Sequence, residues 1–173
     1  VGANLREDIA IGAAGKITSA FNIARTLALG ADWCNAARGY MFALGCIQAL
    51  NCHTGRCPSG VATQDPRRGN KLDVPLKSER VYNFHKNTLD ALQNLLEDSG
   101  LKHPSELGPE HIVRRVSKTE VHSYLDLFPF LEPGALLEGK TGLTVFDKYW
   151  DDAQADTFEP PEFILKLRET KLR

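Results

Sequence analysis

The chain has 173 residues, 42% of them hydrophobic and 25% charged, with a formal net charge of −1 and four cysteines. These are the values of an ordinary globular protein long enough to bury a core. They give no electrostatic reason for nucleic-acid binding or attraction to a membrane surface, and no apolar run approaches the ~20 residues that cross a bilayer.

Val1 leads straight into mixed polar sequence without a signal-like start, and the missing initiator methionine raises the expectation of a processed or excised segment. Ile9-Ala-Ile-Gly-Ala-Ala-Gly15 is a short apolar run broken by glycine, the pattern of a buried parallel strand ending in a loop. Thr18 or Ser19 can cap a helix that carries Ala20, Ile23, Ala24, Leu27 and Ala28 at helical spacing, with Gly30 as its stop. Ala31-Asp-Trp-Cys-Asn-Ala-Ala37 reads as a second strand. Arg38 to Leu50 reads as a second helix, apolar on nearly every side and therefore buried.

Beyond Cys57 the sequence is loop-like through Asn70. A long helix is expected over Lys77–Ser99, with Val81, Phe84, Leu89, Leu92, Leu95 and Leu96 on one face and Gly100 at its end. Pro109 to Arg115 predicts a short helix with proline in its first turn. Leu125 to Leu137 reads as an irregular segment, and Trp150 to Arg173 as a tail with one short terminal helix.

Strand, helix, strand and helix with tight connections make two βα units of a parallel sheet. Two units do not close a domain, because a parallel pair needs further strands or a covering layer. The expected fold is therefore α/β: the last two βα units of a (β/α)8 TIM barrel, followed by a mostly helical extension. The corresponding division is residues 1–64 for the barrel end and cysteine loop, 65–137 for the helical extension and 138–173 for the tail.

Cys46, Cys52 and Cys57 fall within twelve positions, and Pro58 follows the last. Close thiolates suit iron–sulfur clusters or zinc, but this spacing is neither C-x-x-C nor a zinc-ribbon pair. Cluster, zinc and unliganded thiols all stay open on spacing alone. A zinc site with His53 is awkward, because Cys52 and His53 are neighbours whose side chains diverge. Cys34 reads as a core residue rather than a fourth ligand. Reduced thiols and a cytoplasmic location fit better than two disulfides. His85, among apolar positions, reads as a core histidine.

The loops Gly12-Ala-Ala-Gly-Lys16 and Asn35-Ala-Ala-Arg-Gly39 each join a strand to a helix, where backbone amides and the helix dipole can hold a phosphate. In (β/α)8 barrels such a site follows strands 7 and 8, which places these two units last.

The run from Gly15 to Arg38 resembles the end of the FMN-binding barrel of glutamate synthase. Ala43-Leu-Gly-Cys-Ile-Gln-Ala-Leu-Asn-Cys-His-Thr-Gly-Arg-Cys-Pro-Ser-Gly-Val-Ala-Thr-Gln64 is very similar to that family's cluster loop. Glu79-Arg-Val-Tyr-Asn-Phe-His85 and His103-Pro-Ser-Glu-Leu107 are similar to the FMN-binding glutamate synthase family proteins, so the resemblance spans roughly residues 5 to 137. It implies an oxidoreductase acting on CH-NH2 donors, with FMN and a [3Fe-4S] cluster as cofactors. Cys46, Cys52 and Cys57 would be the cluster ligands. Ala14, Gly15, Lys16, Ala36, Ala37 and Arg38 would hold the flavin phosphate, and no catalytic residue is assigned. The implied reaction reduces the imine of 2-oxoglutarate and ammonia to glutamate. The implied partners are 2-oxoglutarate, an ammonia or glutamine source, and an electron-donor subunit or ferredoxin, with no nucleic acid and no membrane.

The earlier barrel strands and a glutaminase cysteine are not in this sequence. A fragment that is inactive alone is therefore expected. A non-catalytic zinc or thiol module, or a subunit completing a partner's barrel, are the alternatives.

Overall fold

Glycine and small residues allow the two expected strands to form side by side. In the structure, a computed structural model that describes residues 1–139, 141–160, 162 and 164–166, β1 is Gly12–Ala14 and β2 is Trp33–Asn35. They pair in parallel, Gly12 opposite Trp33, Ala13 opposite Cys34 and Ala14 opposite Asn35. The Trp33 ring lies over Gly12, where an added Cβ would come 2.5 Å from it, so only glycine fits. The Asp32 carboxylate accepts a hydrogen bond from the Ile11 amide at 2.6 Å and extends the pairing by one step. The expected burial fails. Gly12, Ala14, Trp33 and Asn35 are exposed, because this two-stranded sheet lacks the layers that cover both faces of a parallel sheet.

Between the strands, α1 spans Ala20–Ala28 as expected. Ser19 caps it by accepting the Asn22 amide at 3.3 Å, and the Asn22 side chain in turn accepts from Ser19 and Thr18. Its end closes as a Schellman motif: the Gly30 amide bonds Leu27 O at 2.8 Å, the Ala31 amide reaches Thr26 O, and Gly30 takes φ +103°.

After β2, α2 spans only Ala37–Leu44, six residues short of the expected Leu50. Gly45 stops it with φ +107°, and the Cys46 amide bonds back to Met41 O at 2.9 Å. Cys46 therefore lies beyond the helix rather than in its last turns. Nor is α2 buried all round, since only Gly39 and Ala43 are buried.

A short helix, α3 at Pro66–Gly69, follows within the segment read as loop, capped by Asp65. The long helix α4 runs Val74–Asp98, starting three residues before the expected Lys77 because Asp73 accepts the Leu76 amide at 3.0 Å and Pro75 suits the first turn. Gly100, beyond the Ser99 cap, takes φ +73°.

The segment from Pro109 forms a 3-10 turn to His111, not a helix to Arg115. The His111 Nδ1 accepts the Gly108 amide at 3.0 Å, closing the turn. The chain then enters an antiparallel hairpin of β3, Val113–Arg115, and β4, Val121–Ser123. Its turn is held by Ser117 Oγ, which accepts the Thr119 and Glu120 amides. A short helix α5, Tyr124–Leu127, replaces the first residues of the expected irregular segment.

These elements belong to a compact unit over Ala10–Phe128. Its core is two small clusters: Ala20, Ala24 and Leu92 joined by Ile23, Leu95 and Leu107, and Ala28, Ile112 and Tyr124 joined by Leu107 and Leu127. Among the described residues no large side chain is fully buried, a thinner core than the length led us to expect. The apolar side chains are spent on the surface instead, with Ile47, Leu50, Val74 and Tyr82 exposed.

A second unit comprises Val1–Ile9 and Pro129–Arg173. In it the Leu136 amide bonds Gly2 O at 2.9 Å. Helix α6 at Thr144–Asp151 forms within the 138–173 segment read as tail, and Asp147 takes the Thr141 amide and hydroxyl, each at 2.7 Å. Glu162 and residues 164–166 are helical, within the stretch expected to hold one short terminal helix, and residues 161, 163 and 167–173 lie outside the described residues. Among the described residues no helix is long and apolar enough to cross a membrane.

Candidate cofactor site

The two βα turns come side by side because β1 and β2 pair in register. In the first, Gly15 and Lys16 both take positive φ, +117° and +56°. This left-handed step is easy for glycine and costs a lysine about 1–2 kcal/mol. Ala14, Gly15 and Lys16 are exposed, and the next residue, Ile17, is buried at the start of the core. In the second turn Ala36 precedes α2 and makes no side-chain cap bond, which leaves the first amides of the helix to another acceptor. Uncapped amides of this kind suit an anion.

Helix α2 is set down on α4 by Gly39, whose missing Cβ would stand 2.8 Å from the Phe84 ring. Tyr40 packs edge-on against Phe84, with ring centroids 5.2 Å apart, and its hydroxyl is hydrogen-bonded to His85 Nδ1 at 2.5 Å. His85 is exposed and tied to Tyr40, so it is not the core histidine the apolar spacing suggested.

Past Gly45 the chain turns back through left-handed Gln48 and Leu50, φ +57° and +56°. This brings Arg38, Met41, Phe42, Cys46, Gln48, Leu50 and Cys52 around one cavity of about 350 Å³. The Cys46 sulfur accepts the Gln48 amide at 3.5 Å. Cys52 is exposed at the head of a 3-10 turn, Cys52–Thr54, that Gly55 ends with φ +68°.

Cys57 is different. It is buried, and the Ser59 hydroxyl lies 3.4 Å from its sulfur. That hydroxyl first, and then the Ala62 amide, hold its pKa at about 7; burial opposes them, and the Ser59 and Val61 amides add smaller contributions. The following Ser-Gly-Val-Ala-Thr run is pinned from both ends. Gly60, at φ +78°, passes so close to Arg68 O that a Cβ would sit 2.5 Å from it, and Thr63 Oγ1 donates to Gly55 O.

The structure thus brings Arg38, Cys46 and Cys52 together and places Cys57 in its own amide-lined niche. Among the described residues no group of three or more His, Cys, Asp or Glu side chains is gathered to hold a metal ion. The donor chemistry nevertheless fits sulfur ligation, since amide or hydroxyl donors face the Cys46 and Cys57 sulfurs. His53 is exposed on the same turn as Cys52. Cys34 is half-buried in β2; burial pushes its thiol up, and a hydrogen bond with Thr26 offsets part of that.

Sequence reasoning missed Tyr40–His85, Ser59 and the anchoring of Gly60 on α3. The Asp65-Pro66 pair was a readable helix start that pointed to the last of these.

Comparison with known proteins supplies the family. The region described as "Conserved region in glutamate synthase" matches residues 1–102, which hold both βα turns and all four cysteines. The chain is 46% identical over 111 residues to the glutamate synthase large subunit-like protein YerD of Bacillus subtilis, covering 64% of this chain and 21% of that protein. It is 36% identical over 97 residues to the archaeal glutamate synthase (NADPH) of Methanocaldococcus jannaschii, covering 56% and 19%. Against the glutamate synthase (NADH) of Schizosaccharomyces pombe it is 31% identical over 141 residues, covering 78% and 6%. The chain therefore spans about a fifth or less of the length of these relatives. No solved structure matches it. With more than half of its residues inside the conserved region, the chain belongs to the glutamate synthase family.

Proposed function

We propose that the chain is the closing part of a cytoplasmic, glutamate-synthase-like oxidoreductase that reductively aminates 2-oxoglutarate to glutamate, built on the end of a (β/α)8 barrel. One observation carries the reading. In a chain of this family, Arg38 of the second βα turn shares a cavity with Cys46 and Cys52, and the strands that lead into the two turns pair in parallel.

The groups of this chain divide the work. The backbone amides around Ala14, Gly15 and Lys16, and the uncapped start of α2 at Ala36 and Ala37, bind the FMN phosphate. Cys46, Cys52 and Cys57 would hold a [3Fe-4S] cluster, and the niche that lowers the Cys57 pKa to about 7 favours the thiolate that ligation needs. When bound, the flavin supplies hydride transfer to the imine of 2-oxoglutarate and ammonia, and the cluster supplies one-electron transfer. Ammonia or glutamine as nitrogen source, and a ferredoxin or electron-donor subunit, complete the reaction. The exposed faces of β1 and β2 require neighbouring strands before a flavin is enclosed, so the isolated chain is inactive.

Anaerobic reconstitution of the full chain with iron and sulfide tests the site. The expected result is broad visible absorbance with about three irons per chain, the stoichiometry of a three-cysteine cluster. Uptake of zinc without iron or sulfide would instead assign the loop to a thiol module.

A further inference from the structure

We propose that the groove between α2 and the first turns of α4 binds a small organic monoanion with an apolar body, of the class of a medium-chain carboxylate, with Lys77 as its counter-charge. The site is separate from the cysteine cavity, shares no lining residue with it, and needs neither flavin nor cluster.

Helical spacing builds the groove. On α4, Val74, Lys77, Ser78, Val81, Tyr82 and His85 recur at i, i+3, i+4, i+7, i+8 and i+11 and form one stripe along the axis. Tyr40 and Leu44 of α2, again i and i+4, face that stripe, and Leu72 completes the lining. Arg38, Met41 and Phe42 turn to another face of α2, where the cysteine loop returns. Both helices belong to the Ala10–Phe128 unit. The cavity they form measures about 560 Å³, within the range of small-molecule sites.

The polar groups of the lining sit at its two ends. Lys77 is half-buried, and its ammonium stands over Gly45 at the C-terminal end of α2, 3.0 Å from where a Cβ of that glycine would lie. The partial negative charge of that helix end favours the ammonium there but supplies no full counter-charge. Among the described residues Lys77 makes no ion pair and no side-chain hydrogen bond, and no acidic side chain lines the cavity. The Ser78 hydroxyl is already spent on Val74 O. Eight residues on, about 12 Å along the axis, His85 is tied through Nδ1 to the Tyr40 hydroxyl. Between these ends the walls are mainly apolar, with Leu44 and Val81 half-buried.

Charge and size then select the ligand. A lone ammonium beside apolar walls opposes cations and draws a single negative charge, and the walls reward an apolar tail. A short dicarboxylate such as 2-oxoglutarate would carry its second charge onto those walls, where nothing pairs with it.

The test uses the full chain labelled with 15N and titrated with decanoate below its micelle concentration, with decanol and 2-oxoglutarate as controls. The expected result is saturable shifts confined to residues 40–45 and 72–85, tighter for decanoate than for decanol and absent with 2-oxoglutarate. K77M should weaken decanoate roughly two- to fivefold, the scale of a partly exposed ion pair, and leave decanol unchanged. K77R should bind as wild type does, and so should R80Q, which removes an α4 charge outside the lining. Equal affinity of wild type and K77M for decanoate, or of wild type for decanoate and decanol, overturns the proposal. Shifts spread over other exposed apolar residues such as Ile47 and Leu50 show unspecific adsorption and overturn it too. A concentration-dependent dimer whose interface signals fall on these same residues assigns the groove to a second copy, which also overturns it. None of these outcomes bears on iron uptake by the cysteine loop, so the cofactor reading stands or falls separately.

Discussion

Cys57 shows how a single side chain is prepared before any ligand arrives. Its niche stabilises the anion, so its pKa lies at about 7 instead of the ordinary 9.0. The sign follows. A thiol with a lowered folded pKa contributes stability that is full above its ordinary value, declines as the pH falls, and is gone below about 7. Thiolate absorbance of cluster-free C34S/C46S/C52S protein should therefore rise with a midpoint near 7, and S59A should move that midpoint up, because Ser59 makes the largest contribution. In the cluster reading, C46S, C52S or C57S each abolish iron uptake, while C34S keeps it, since Cys34 sits in β2 away from the loop; iron and sulfide analysis after reconstitution distinguishes them. The cysteines stood out in the amino-acid order because thiols are chemically conspicuous. Ser59 did not, because an ordinary serine acquires its role only when a turn aims it at sulfur.

At the level of elements, packing decides between opposing propensities at Gly39. Replacing it by alanine removes a helix-propensity penalty of about 1 kcal/mol but forces a methyl against Phe84, an overpacking cost of about 1–3 kcal/mol. G39A should thus lose about 1 kcal/mol in urea unfolding, and a gain in stability would show that α2 can lift from α4. At α5, Ser123 and Asp126 form a capping box, with the Ser123 hydroxyl donating to Asp126 Oδ2 at 2.7 Å. That hydroxyl, then the Ser123 amide, hold the Asp126 carboxyl below its ordinary range; burial opposes them, and the nearby His122 charge adds a smaller lowering. Its contribution to stability is present at neutral pH and lost as acid protonates it. Carboxyl titration by NMR should give Asp126 a midpoint below ordinary aspartates, and S123A should raise it. Helices α1 and α4 were legible because caps and apolar spacing are local. The β3–β4 hairpin was not, because its pairing joins residues whose basic and polar side chains carry no alternating pattern.

For the molecule as a whole, the thin core and the exposed Ile47, Leu50, Val74 and Tyr82 match a chain that shares its apolar surface with neighbours. If the proposed barrel is right, the full chain alone should show no quenching of FMN fluorescence on titration, and a longer form carrying the preceding strands should bind it. Tight binding by the chain alone would require a flavin site that needs no barrel.

The order of residues was enough for the two βα turns, their parallel pairing, the long helix and the cysteine loop. Each of these is written in local spacing, caps and glycines. Only the folded arrangement decided where α2 ends, which cysteines share a cavity and which face Arg38 occupies. Those outcomes depend on how a left-handed glycine turns the chain back and on which side of a helix the returning loop lies, and neither is encoded in the spacing of any one segment.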